Sequence, residues 1–169
     1  MHPALETRLA MNTTPQKPIV VIGYGNSLRG DDAIGRRVVE RLSERRLPDV
    51  VSICVTQLVP ELAAQVADAL AVVFVDACLF EHGNVVVVRE IDDASCFHGA
   101  SHEGSPRELL ALAAMCYGRM PVAWIVAVPV ASFELSDGLS TAASEQVALA
   151  VEAVERLIGQ LREGKVAYA

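Results

Sequence analysis

Apolar and polar positions follow two alternating patterns along the chain. Short apolar runs rich in β-branched residues predict buried strands, which fall at residues 18–23, 50–55, 71–76, 84–91 and 122–128. Between them, apolar residues recur every three or four positions with charged residues on the opposite side, which predicts amphipathic helices. These helices fall at residues 32–46, 60–70, 105–117 and from Ser140 or Thr141 onward.

The order of these elements predicts the fold. Strands that alternate with helices indicate a three-layer α/β/α domain on a mixed, mostly parallel sheet of five strands. Only residues 77–83 separate the third strand from the fourth, which is too short for a helical crossover, so we expect that pair to be antiparallel. Residues 1–16 predict a flexible leader, with Met11 as a second candidate start, before a single domain at 17–169.

Composition and charge exclude several classes of function. The chain has 169 residues, of which 52% are hydrophobic, enough to fill the core of one domain. Its formal net charge of −7 disfavours nucleic acid as a partner. Without a secretory signal or an apolar stretch that could span a bilayer, we expect a cytoplasmic protein with no membrane partner. The cysteines lack metal-knuckle spacing and predict buried thiols, at Cys54, Cys78, Cys96 and Cys116.

The loop at residues 23–32 begins like a dinucleotide-binding fingerprint but departs from it. Leu28 stands where the third glycine would be needed, and Asp31 and Asp32 would repel a phosphate at the start of the helix. Asp31 is well placed to cap that helix through its side chain. One cap suffices, and a second acid beside it adds charge repulsion. A cation bound near Asp32 would offset that repulsion.

Asp76 ends the third strand at the edge of the sheet where open α/β folds bind ligands. If the strand order begins 2-1-3, Asp32 and Asp76 face one crevice; alternatively, Asp76 only caps the next turn. His102 lies in a loop before the third helix, and His98 is the competing imidazole. Two carboxylates and one imidazole form a mixed site that suits nickel or zinc and leaves coordination positions open.

These residues match the pattern of a known family. Residues 21–35, Val-Ile-Gly-Tyr-Gly-Asn-Ser-Leu-Arg-Gly-Asp-Asp-Ala-Ile-Gly, closely resemble the opening motif of hydrogenase maturation proteases. Phe74-Val75-Asp76-Ala77 is similar to the second acidic motif of that family, and Ser101-His102 to its histidine loop. Pro129 followed by Gly138-Leu139-Ser140 resembles its C-terminal signature, so the resemblance extends over residues 18–163.

The resemblance implies a fold, an activity and a set of site residues. The fold would be a twisted five-stranded sheet between helices, and the activity that of a nickel-dependent, aspartic-type-like endopeptidase. Its substrate would be the precursor of a nickel–iron hydrogenase large subunit, from which it removes the C-terminal tail. Asp32, Asp76 and His102 would carry catalysis and contact a nickel ion brought by that precursor, whose tail would lie against Gly25 and Asn26. A chaperone that binds the same nickel centre without cutting is the alternative, and a metal-dependent hydrolase of a small molecule is a third.

Overall fold

The computed structural model describes residues 17–79, 84–91 and 104–165. The predicted leader at 1–16 lies outside these residues, as do Cys96, His98 and His102. The predictions that concern them are therefore neither confirmed nor contradicted by the fold.

The core of the molecule is a five-stranded sheet with the order β2-β1-β3-β5-β4. The strands are β1 (Ile19–Tyr24), β2 (Val50–Val55), β3 (Ala71–Leu79), β4 (Val87–Glu90) and β5 (Val122–Val130). Strands β2, β1, β3 and β5 are parallel, and β4 runs antiparallel to β5. The predicted mixed, mostly parallel sheet is confirmed, and the condition that the strand order begins 2-1-3 is met.

The third and fourth strands run in opposite directions, as expected, but they are not paired with each other. Strand β5 lies between them and pairs with β3 along its whole length, from Ala71 opposite Val122 to Leu79 opposite Val130. Burial explains the arrangement, since β5 is buried from Ile125 to Val130, whereas Val88 and Arg89 of β4 are exposed. A short strand with exposed side chains suits the edge of a sheet better than its centre.

Within the part of the chain that the structure describes, four helices cover the sheet. They are α1 (Ile34–Ser43), α2 (Ala63–Asp68), α3 (Pro106–Tyr117) and α4 (Thr141–Arg162), and short 3-10 turns precede α1 and α2. Two of them begin as predicted: Ser105 and Glu108 form a reciprocal capping box at α3, and Ser140 caps α4. Among the described residues, no helix is both long and apolar enough to cross a membrane.

The helices divide between the two faces of the sheet. Helices α1 and α4 pack on one face, where Val21, Val73 and Val128 are fully buried, and α2 and α3 pack on the other, over Ile22 and Phe74. Each strand thus contributes alternate side chains to two apolar layers. The predicted three-layer α/β/α fold is confirmed.

One helix boundary and two predictions of buried thiols are wrong. The helix predicted at residues 60–70 is shorter, because α2 ends at Asp68 and Leu70 is 42% exposed. Cys54 and Cys116 are free and exposed. Cys54 lies on β2, an edge strand of the sheet, and Cys116 lies in the last turn of α3, where neighbouring residues are also exposed.

The start of α1 lies unusually close to the sheet. A β-carbon on Gly35 would stand 2.7 Å from the carbonyl oxygen of Tyr24 in β1, and closer still to that of Val75 in β3. On the opposite side of the same contact, a β-carbon on Gly23 would stand 2.7 Å from a methyl group of Val39. The helix therefore rests on the backbone of both strands, and glycine is required where they meet.

This contact predicts opposite effects of one substitution in two helices. Gly35→Ala should lower the free energy of unfolding by about 3 kcal/mol, the upper end for an overpacked interior. Gly159, inside α4, has open space around the position of a β-carbon, so Gly159→Ala should raise the free energy of unfolding by about 0.5–1 kcal/mol. Urea denaturation of both variants measures the difference, and equal effects would contradict the close packing of α1.

Candidate functional site

The loop between β1 and α1 folds back onto the end of its own strand. Gly25 has a φ angle of +140°, a conformation that favours glycine, and its N–H donates a hydrogen bond to the carbonyl of Thr56 at 3.2 Å. A β-carbon on Gly25 would stand 2.8 Å from the carbonyl carbon of Asp32. The loop thus returns Asp32 to the end of β1, at the C-terminal edge of the sheet.

Hydrogen bonds fix the side chain of Asp32 in this loop. Its Oδ2 accepts the backbone N–H of Asn26 at 2.7 Å, and its own N–H donates to the carbonyl of Arg29 at 3.0 Å. Asn26 also accepts the N–H of Leu28 through its side-chain Oδ1 at 3.0 Å. Gly25 and Asn26, predicted to bind substrate, therefore shape the loop that orients Asp32, and their contact with a substrate stays a prediction.

Asp76 lies on β3 beside the end of β1. The parallel register places Gly23 opposite Val75, so Asp76 is level with Tyr24 and on the same face of the sheet. The Tyr24 hydroxyl donates a hydrogen bond to Oδ2 of Asp76 at 2.7 Å, and the N–H of Ala77 donates to Oδ1 at 2.8 Å. The alternative that Asp76 caps a turn after the strand is wrong, because β3 continues to Leu79.

The electrostatics show that Asp32, Asp76 and Tyr24 share one site. The pKa of Asp76 is raised to about 6 as the net result of several effects: burial raises it most, the hydrogen bonds from Tyr24 and Ala77 lower it, and the charge of Asp32 raises it. The pKa of Tyr24 is also raised, by burial first and then by the negative charges of Asp76 and Asp32. The predicted convergence of the two aspartates is thereby supported, because each influences the same phenol.

Tyr24 is a site residue that sequence reasoning missed. Its position at the end of a buried strand, between two glycines, was visible in the sequence. Residues at the carboxyl end of a central parallel strand often line the ligand crevice. Only the register of β1 against β3, however, shows that its hydroxyl reaches Asp76.

The donor set suits a divalent cation. Asp32 and Asp76 offer carboxylate oxygens held in fixed orientations by protein N–H and O–H groups, and a cation between them would relieve their repulsion. Within residues 17–79, 84–91 and 104–165 there is no cluster of three metal-ligating side chains. The third predicted ligand, His102, lies outside those ranges, so the complete triad stays a prediction.

Asp31 has a structural role different from the predicted one. Neither the turn at Gly30–Ala33 nor α1 receives a side-chain cap from it. Instead its Oδ1 accepts the backbone N–H of Ser140 at 2.7 Å and its Oδ2 accepts the Ser140 hydroxyl at 2.9 Å. The buried Asp31 therefore joins the loop of Asp32 to the start of α4, 109 positions away in sequence.

A cleft of about 370 Å³ opens next to the loop that follows β2. Its walls are residues 57–60 on one side and the start of α3, with Gly104 and Leu109, on the other. Since Thr56 accepts the hydrogen bond from Gly25, the cleft lies beside the loop that carries Asp32. It is large enough for a short peptide segment.

Comparison with solved structures identifies the same arrangement of elements in a group of proteases. No family model and no curated protein matches the sequence. Three similar structures are a hydrogenase 2 maturation peptidase from a Thaumarchaeota archaeon, the nickel–iron hydrogenase maturation protease HycI from Thermococcus kodakarensis, and the hydrogenase maturating endopeptidase HybD from Escherichia coli.

The similarity extends over most of each chain. The archaeal peptidase is 26% identical with a TM-score of 0.65, covering 85% of this chain and 99% of its own. HycI is 24% identical with a TM-score of 0.67, covering 86% and 95%, and HybD is 23% identical with a TM-score of 0.64, covering 87% and 93%. The predicted resemblance to hydrogenase maturation proteases is therefore confirmed in the fold.

The Asp31–Ser140 contact predicts a coupling between two distant substitutions. Asp31→Ala should lower the free energy of unfolding by about 2–3 kcal/mol, because two donors of Ser140 lose their acceptor. Ser140→Ala also removes the cap of α4, but combining the two substitutions should cost less than the sum of the single effects. A double-mutant cycle by urea denaturation measures this coupling, and strictly additive effects would show that the contact contributes nothing.

Burial of Asp76 predicts a pH-dependent gain in stability on substitution. The folded protein holds the proton of Asp76 to about pH 6, whereas an unfolded chain releases it near pH 3.9. Ionising Asp76 therefore costs stability as pH rises from about 4 to about 6, by about 3 kcal/mol. Asp76→Asn should be more stable than wild type at pH 7.5, and the difference should shrink towards pH 4.

Chemical denaturation at both pH values tests this, with Glu152→Gln as the control because Glu152 is exposed on α4. That control should show no comparable dependence. A variant Asp76→Asn that is less stable than wild type at pH 7.5 would mean that the carboxylate is compensated in the folded protein.

Proposed function

We propose that this chain is an endopeptidase that removes the C-terminal tail from the nickel-loaded precursor of a nickel–iron hydrogenase large subunit. The observation that carries the proposal is the convergence of Asp32 and Asp76 at the C-terminal edge of the sheet. The fold shared with HycI and HybD supports it. The motif at residues 21–35 supports it as well, because its glycines and acids build this site.

The nickel belongs to the substrate in this proposal. Asp32, Asp76 and His102 offer two oxygens and one nitrogen, without a thiolate, which makes a weak site for a resident nickel ion. A nickel centre already held by the precursor needs only a few added ligands to dock. Burial is the main cause of the raised pKa of Asp76, and repulsion from Asp32 adds to it. Docking of the nickel relieves that repulsion, and the nickel thereby marks a precursor that is ready to be cut.

The cleft beside Gly25 gives the tail a place to bind. The cleft is lined by Leu58, Val59 and Leu109. An extended peptide can therefore bury its own apolar side chains in the cleft. A peptide fixed between the docked nickel and this cleft has its scissile bond held near the two carboxylates. Such positioning accounts for several kcal/mol of the barrier in many enzymes.

The reaction needs a group that exchanges a proton near neutral pH. Hydrolysis adds the hydroxyl of water to the carbonyl carbon of the scissile bond and transfers a proton to the leaving amine. A carboxyl with a pKa of about 6 is well matched to that proton transfer. We assign the transfer to the pair of Asp32 and Asp76, with Tyr24 holding Asp76 in orientation.

Cleavage of a purified precursor tests the proposal. Wild type should shorten nickel-loaded precursor by the mass of its tail and leave nickel-free precursor intact, even after incubation of the enzyme with nickel and desalting. Asp32→Asn, Asp76→Asn and His102→Ala should each lower the cleavage rate at least about a hundredfold, the range seen on loss of a general acid–base group. Mass spectrometry of the large subunit follows the reaction.

Controls separate the rival functions. Glu152→Gln should cleave like wild type, since Glu152 is exposed on α4 and outside the site. Wild type that binds nickel-loaded precursor without shortening it would be a chaperone rather than a protease. Wild type stripped with chelator should remain active; if it is inert and recovers only when its own metal is restored, the nickel is a resident catalytic ion.

A further inference from the structure

Two large apolar side chains project into solvent from adjacent loops beside the site. Leu28 is 73% exposed and Leu135 is 81% exposed. Leu28 directly precedes Arg29, and Leu135 directly precedes Ser136. Arg29 and Ser136 are joined by an isolated parallel β-bridge, so the two leucines are neighbours beside it. Exposed leucines are common singly, but two that adjoin on separate loops form a small apolar surface, which we term the leucine pair.

Hydrogen bonds and close packing hold the two loops that carry the leucine pair in place. The N–H of Leu28 is held by the side chain of Asn26 at 3.0 Å. Gly30, with a φ angle of +48°, packs so closely on the second loop that a β-carbon there would overlap the Ser136 hydroxyl. Asp31 then binds Ser140 through two hydrogen bonds. The leucines are thus presented by an ordered backbone, which reduces the entropy that a partner would have to remove on binding.

The position of the leucine pair indicates what covers it. Leu28 lies in the loop whose Asn26 orients Asp32, so the leucine pair adjoins the loop that carries one of the two carboxylates. The chain carries a net charge of −7, and charge alone would attract basic molecules without discrimination. An apolar contact next to the acidic crevice adds shape and desolvation to that recognition.

We propose that the leucine pair is a docking surface for an apolar patch of the precursor, next to the segment that presents the bond to be cut. This inference rests on the proposed function. It assigns to Leu28 and Leu135 the recognition of the folded precursor, separate from the recognition of its nickel and its tail. Neither side chain takes part in the chemistry, so their loss weakens binding and leaves the cleavage step unchanged.

Steady-state cleavage of nickel-loaded precursor tests the docking surface. The double substitution Leu28→Ser, Leu135→Ser should raise KM about tenfold, the effect of losing a contact worth about 1.4 kcal/mol, and leave kcat near the wild-type value. Leu149→Ser is the matched control, because Leu149 is 51% exposed on α4, away from both loops. It should leave KM and kcat unchanged.

The outcomes separate this inference from the proposed function. If wild type does not cleave the precursor, the proposed function fails. If wild type cleaves and the double variant keeps the wild-type KM, or loses kcat alone, the leucine pair is not a docking surface. Sedimentation of the wild type and the double variant at the assay concentration tests whether a second copy of the chain covers the surface instead. A wild-type dimer that dissociates in the double variant would assign the surface to that second copy and overturn the proposal. Unchanged thermal unfolding of the variant confirms that it is folded.

Discussion

The close approach of α1 to the ends of β1 and β3 is the constraint on which the site depends. Gly23 and Gly35 lack the β-carbons that would hold the helix away from the sheet, and Gly25 lets the loop return over its own strand. Glycine at these positions is costly, because glycine loses more conformational entropy on folding than other residues do and has no side chain to pack in the folded protein. What the protein gains is position: Asp32, in the 3-10 turn that leads into α1, is brought next to an acid on a neighbouring strand.

The two adjacent aspartates of the loop show how neighbouring charges are given separate roles. Asp31 receives two hydrogen bonds at the beginning of a helix of 22 residues, where the partial positive charge of the helix end favours a carboxylate. Asp32 receives one backbone N–H and interacts unfavourably with Asp76. One charge is therefore compensated and stabilises the fold, while the other stays available in the crevice, and the rigid hold on the first fixes the place of the second.

Local patterns predicted the elements, whereas contacts between distant segments remained hidden. The strands and the caps at Ser105 and Ser140 could be predicted from apolar runs and cap residues. The acceptor role of Asp31 could not, because its partner is 109 positions away and the local alternative, a cap on its own helix, is physically sound. The same reason applies to Tyr24, whose hydrogen bond to Asp76 spans 52 positions, and to β5, which separates β3 from β4.

The hydrogen bonds around the carboxylates bear on how such a site can select a metal-loaded substrate. Tyr24 and Ala77 hold Asp76 in orientation, and the N–H of Asn26 does the same for Asp32, so the arrangement does not require an ion to form. The ionised form of Asp76 is nevertheless disfavoured in this arrangement, because burial and the neighbouring charge of Asp32 raise the pKa of Asp76 to about 6. In the proposed function, a cation that arrives with the substrate offsets the repulsion between the carboxylates of Asp32 and Asp76, and the free energy gained contributes to binding. Under the proposed function, a precursor without its metal brings the same peptide but not this contribution, so the charge of the site itself would account for the discrimination.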